Sequence, residues 1–107
     1  MKKEKRAIII GAGFGGLSAA IRLASNGWKV AVYEQQGYAG GKAGSLQLGG
    51  YRFDRGPSLI TLREVFAELF ESAGRRIEDY LSFQPLDTIC SYFFSDGTEL
   101  AARGNPE

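Results

Sequence analysis

Ala7-Ile8-Ile9-Ile10-Gly11-Ala12-Gly13-Phe14-Gly15-Gly16-Leu17 joins an apolar run to a helical run through a glycine-rich turn. The run before the turn is continuously apolar, as a parallel strand covered on both faces is. After the turn, Leu17, Ala20, Ile21 and Ala24 recur at helical spacing, with Leu23 beside them. Asn26-Gly27 stops that helix. Residues 28–34 read as a second short strand that closes on Glu34. Strand, GxGxxG turn, helix, strand, acid is the order of a dinucleotide-binding βαβ unit.

Each part of that order has a physical task. Gly11 permits the tight turn out of the strand. Gly13 has no Cβ, so the backbone there can come close to a pyrophosphate. Gly16 lets the helix pack closely on the first strand. The helix N-terminus offers unpaired N–H groups and a partial positive charge to phosphates. Ala12, Phe14 and Gly15 complete the turn and count with it as cofactor-binding positions. Glu34 can accept hydrogen bonds from ribose hydroxyls. An acid there also repels a 2′-phosphate, which argues against NADP. Gln35 follows at the same strand end and is grouped with it. An ordinary tight turn explains a glycine cluster alone, but not both strands, the helix and the acid in sequence.

Composition bounds the rest. A chain of 107 residues supports one small core. Its 13 basic and 12 acidic side chains nearly cancel, which leaves no electrostatic footprint for a nucleic-acid partner. Met1-Lys2-Lys3-Glu4-Lys5-Arg6 reads as a solvated lead-in. The apolar run that follows breaks at Gly11, too soon for a signal-peptide core or a membrane span. Cys90 is the only cysteine, so no internal disulfide forms, and the cytoplasm is the expected compartment. Within its apolar run Cys90 is expected to be a small buried side chain. The chain has no histidine, and no metal site is expected.

Beyond Glu34 the chain is punctuated by glycine. Gln35 to Ser45 is too glycine-rich for a regular element. Gly49-Gly50 between Leu46–Leu48 and Tyr51–Phe53 signals a hairpin, and Asp96-Gly97 signals another between Ile89–Phe94 and Glu99–Ala102. Thr61-Leu62-Arg63-Glu64 has capping-box spacing and predicts a helix start. Leu62, Val65, Phe66, Leu69, Phe70 and Ala73 make one apolar stripe, expected to pack in a core, and Gly74 ends it. Ile77 to Leu81 predicts a further helical turn. Two parallel strands plus hairpins are an incomplete doubly wound sheet, so the chain reads as the front part of a larger protein.

Gly40-Gly41-Lys42 follows the ribose acid. Paired glycines let backbone amides approach a ligand, and the lysine sets a positive charge near phosphate. With this loop the sequence resembles the phytoene desaturase family of carotenoid-modifying flavoproteins. Three blocks carry the resemblance: Ile10 to Leu17, Gly40-Gly41-Lys42-Ala43, and Phe53-Asp54-Arg55-Gly56-Pro57-Ser58. The first is common to many FAD enzymes and the second is shared with amine oxidases. The third, at this distance from the second, is the more specific.

The resemblance implies an α/β fold with a Rossmann-like FAD-binding βαβ unit, followed by a helix and the start of a β-rich substrate domain. It implies FAD, with Gly11, Gly13, Gly15 and Gly16 along the pyrophosphate and Glu34 at the adenosine ribose. Gly41 and Lys42 would lie between ribose and flavin, and Gly56, Pro57 and Ser58 toward the flavin. Lys42 stands where many relatives carry arginine, and lysine cannot make a bidentate fork. The implied division is residues 1–82 for the FAD-binding part and 83–107 for the first strands of a substrate domain. The implied reaction is dehydrogenation of a lipophilic polyene, with peripheral membrane contact by the full-length enzyme. No residue here reads as the proton-abstracting base. Two alternatives stay open: another FAD oxidoreductase of amine oxidase or protoporphyrinogen oxidase type, and a non-catalytic nucleotide-fold binding protein.

Overall fold

The structure is a computed structural model that describes residues 3–104. The ends of the expected lead-in, residues 1–2, and of the second segment, residues 105–107, lie outside the described residues.

Strand β1 (Arg6–Ile10) runs into the glycine turn, and helix α1 (Phe14–Ser25) leads back to strand β2 (Lys29–Tyr33). β1 and β2 pair in parallel, with Ala7 opposite Val30, Ile9 opposite Val32 and Ile10 opposite Tyr33. Side chains alternate across a strand. One face presents Ala7, Ile9 and Val30, all half-buried, to the side packed by α1. Ala20 of α1 is buried there, and Leu17, Ile21 and Leu23 are half-buried. The other face is bare: Ile8 is 69% exposed, Ile10 88% and Tyr33 62%. α1 ends as its sequence predicts, with Asn26 as C-cap and the Gly27 N–H donating to Ala24 O at 2.9 Å.

After β2 the chain makes a short 3₁₀ turn (Gly41–Ala43) and a hairpin of β3 (Ser45–Leu48) and β4 (Tyr51–Asp54). Helix α2 (Arg63–Ser72), a 3₁₀ turn (Ile77–Asp79) and a last hairpin, β5 (Thr88–Phe93) and β6 (Glu99–Arg103), complete the order. The three strand pairs form three separate two-stranded sheets. The radius of gyration is 18.8 Å, against about 13 Å for a close-packed domain of this length. Among the described residues only Ala12, Ala20 and Ile77 are buried hydrophobics. The α/β reading and its incompleteness as a fold both hold.

Four local expectations change. Thr61 does not cap α2: Leu62 is the N-cap, without a side-chain bond, and the first turn closes from the Val65 N–H to Leu62 O at 3.2 Å, one residue later than the capping box places it. Asp96-Gly97 is not a two-residue turn. Phe94 N–H donates to Thr98 O at 2.9 Å across a three-residue loop, and Asp96 accepts the Thr98 N–H at 2.9 Å. Cys90 is exposed: among the described residues β5 and β6 pair only with each other, in a two-stranded sheet. The α2 stripe is half-covered rather than core: Phe66, Leu69 and Phe70 are half-buried, while Leu62 and Val65 are exposed.

Candidate functional site

Gly11 leaves β1 at φ +96°, a conformation that side chains with a Cβ rarely adopt, and its N–H donates to Tyr33 O at 2.7 Å. The next peptide is held from both sides. Ala12 donates its N–H to Glu34 Oε2 at 2.7 Å, and its carbonyl accepts the Gly40 N–H at 2.7 Å. Gly13 is the N-cap of α1, and no side chain caps the helix. No acidic residue occupies its first turn, so the positive end of α1 is not neutralised from within.

The glycines divide into two kinds. A Cβ on Gly16 would stand 1.9 Å from Gly11 O and 3.3 Å from Ile9 Cγ2, so this position sets the approach of α1 to β1. A Cβ on Gly56 would stand 1.9 Å from Lys42 O, and one on Gly41 3.1 Å from Gly13 Cα. The third block thus packs on the second, and the second on the first. Around Gly13 and Gly15, by contrast, a Cβ would meet nothing within 4 Å. The backbone at these two positions is open to approach.

These contacts enclose a cleft of about 390 Å³ lined by Gly13, Phe14, Gly40, Gly41, Lys42, Ala43 and Pro57. Its volume falls in the usual range for a small-molecule site. A second concavity of about 240 Å³ lies at the tip of the β3–β4 hairpin, between Gln47 and Arg52, away from the glycine turn.

Of the residues singled out from sequence, Gly13, Phe14, Gly41, Lys42 and Pro57 meet in the cleft. Gly11, Ala12, Gly16 and Gly56 stand behind it as supports. Gly15, Gln35 and Ser58 are exposed and outside the lining. Gly40, which the motif includes but the cofactor positions do not, is a lining residue and the donor that ties the second loop to Ala12. The paired glycines were its signal, but they do not say which member makes the tie.

Glu34 is half-buried at the end of β2. Its two oxygens accept from the Ala12 N–H and, at 2.9 Å, the Gln36 N–H. These bonds, Ala12 first, hold its carboxyl below the ordinary glutamate range, with a small contribution from the Gln35 amide. A carboxylate has about four acceptor sites, so two amides leave capacity for hydroxyl donors. Arg55 reaches back over the loop to the Tyr38 hydroxyl at 3.3 Å.

Comparisons with known proteins agree with this geometry. Residues 9–73 match the NAD(P)-binding Rossmann-like domain family. A 1-hydroxycarotenoid 3,4-desaturase of Flavobacterium sp. is 46% identical over 103 residues, 96% of this chain and 21% of that protein. A 4,4′-diaponeurosporene oxygenase of Staphylococcus aureus is 42% identical over 96 residues, 90% of this chain and 19% of that protein. The chain therefore spans about a fifth of the length of these relatives. Among solved structures, putrescine oxidase superposes with a TM-score of 0.61 at 25% identity, over 97% of this chain and 22% of that one. A fatty acid isomerase of P. acnes does so at 0.53 and 25%, over 94% and 22%.

Proposed function

This chain belongs to the NAD(P)-binding Rossmann-like domain family, and from that premise we infer that it is the cofactor-binding front part of an FAD-dependent carotenoid desaturase. The observation that carries the reading is the docking of three sequence blocks on one cleft, with Glu34 bonded into the same turn. The donor set suits a dinucleotide. Gly13 and Gly15 leave backbone open to a diphosphate, and the uncapped N-terminus of α1 orients it. Glu34 keeps acceptor capacity for ribose hydroxyls, and its charge disfavours a 2′-phosphate. Lys42, exposed on the cleft wall, offsets phosphate charge as a point cation. Pro57 lines the same cleft.

Bound FAD supplies the hydride-accepting chemistry. The substrate class follows from the relatives, whose names are those of enzymes acting on long lipophilic polyenes. In this reading residues 1–82 serve the cofactor and residues 83–107 open a substrate domain, which suits the independence of the β5–β6 hairpin. The protein is then cytoplasmic and works against the membrane surface that holds its substrate.

The test is purification of the full-length protein, with flavin absorbance and polyene absorbance followed on addition of a lipid-dispersed carotenoid precursor. Bound flavin and a red-shifting polyene spectrum support the reading. Flavin with turnover of primary amines instead would assign the protein to the putrescine oxidase type, and absence of flavin would sink both.

A further inference from the structure

We propose that Phe66, on α2, is a positioning residue for the dinucleotide cleft and acts through the ring of Phe14. The proposal rests on the FAD reading above. Phe14 is the first residue of α1 and lines the cleft beside Gly13. It is 52% exposed, so its own surroundings hold it weakly. Its ring stands edge-on to that of Phe66, with centroids 5.8 Å apart and planes at 81°. Among the described residues Phe66 is its one aromatic partner.

α2 makes its own contacts at sites remote from the glycine turn. Arg63 bonds Glu78 at 2.5 Å, and its guanidinium lies 5.0 Å from the Phe83 ring. Phe70, one turn beyond Phe66 on the same face, tilts against Tyr80 at 5.3 Å. Ile77, 2% exposed, anchors the 3₁₀ turn packed on α2. Phe66 thus couples a side chain at the cofactor cleft to a separate element. A ring fixed before the ligand arrives spares the ordering loss that a free ring incurs on binding.

An edge-to-face pair of this kind corresponds to about a 2- to 12-fold change in affinity. The experiment is a double-mutant cycle in the full-length protein with Phe14→Leu, Phe66→Leu and both, plus Phe66→Tyr. FAD affinity is read by titration of flavin fluorescence, and thermal melting is recorded without FAD. Phe66→Leu is expected to weaken FAD binding about three- to tenfold, Phe66→Tyr to restore it to within about twofold, and the double variant to bind no worse than Phe14→Leu. Effects that multiply in the double variant would overturn the proposal. So would a Phe66→Leu protein that melts lower but binds FAD normally. If the unaltered protein binds NAD⁺ and not FAD, the cofactor reading falls while the same cycle, read on NAD⁺, still decides the role of Phe66. Binding of neither overturns both.

Discussion

The carboxylate of Glu34 accepts the backbone N–H of Ala12 at 2.7 Å, across 22 residues of sequence. The acid at the end of β2 is therefore a brace of the glycine turn as well as a candidate ribose ligand. Removing it takes away both roles. Glu34→Ala is expected to weaken FAD binding about 10- to 100-fold in the full-length protein, as expected for a lost charged hydrogen bond. Glu34→Gln is expected to recover only part, since its amide oxygen accepts while its NH₂ faces an N–H. Titration of FAD into each variant checks this, and unchanged affinity in Glu34→Ala would remove Glu34 from the site.

The same bonds set a pH dependence. The folded state lowers the Glu34 pKa, Ala12 being the larger cause and Gln36 the next. A depressed carboxylate contributes stability that is fully present above its unfolded value, about 4.3 for glutamate, and is lost as pH falls through the folded value. The brace is expected to hold from pH 7 to about 4.3 and to fail only below that. Cofactor retention followed by fluorescence during an acid titration tests it. A loss centred between pH 5 and 7 that vanishes in Glu34→Gln would contradict the assignment.

Gly13 and Gly16 are expected to separate ligand binding from folding. Gly13 has an ordinary extended backbone, φ −78° and ψ −177°, and open space where a side chain would go. Gly13→Val in the full-length protein should fold and melt normally yet lose FAD, because the branched side chain fills the ligand's approach. A variant that keeps normal flavin absorbance would show the turn to be misassigned.

Gly16→Ala should do the reverse in kind. Its methyl would sit 1.9 Å from a backbone carbonyl that cannot swing away. The expected cost is at least about 1–3 kcal/mol, seen as a melting temperature several degrees lower. A variant that melts like the parent would show that α1 is free to lift from β1.

Residues 1–107 on their own are expected to bind FAD weakly or not at all and to desaturate no carotenoid. The three buried hydrophobics among the described residues cannot offset the cost of ordering the loops around the cleft, about 1–2 kcal/mol per residue. Expression of these residues, FAD titration and polyene spectra check the expectation. Steady turnover would overturn it.

Much of the fold was legible because its rules are local. Apolar periodicity marks β1, α1 and β2, and Asn26-Gly27 and Gly74 mark helix ends within a few residues of where they fall. The cleft was legible only as three separate motifs. That Gly40 ties to Ala12, that Gly56 rests on Lys42 and that Phe66 meets Phe14 are tertiary facts with no local periodicity. Thr61 failed as a cap because its spacing to Glu64 marks a helix start only to within a residue, and the helix begins one position later. Cys90 failed as a buried residue because an apolar run records a preference for burial, not the neighbour that provides it.

The bare row of Ile8, Ile10 and Tyr33 has a consequence in time. The βαβ unit closes through contacts near in sequence, which form fast. Its outer face needs a partner that the described residues do not provide. A unit that forms early and then waits with such a row uncovered is vulnerable to wrong association during synthesis. Yield of the full-length protein should therefore depend on growth temperature and chaperone supply more than on the stability of the finished molecule. Charged substitution at Ile8 would relieve the wait and harm the product, which makes that row a compromise between the route to the fold and the fold itself.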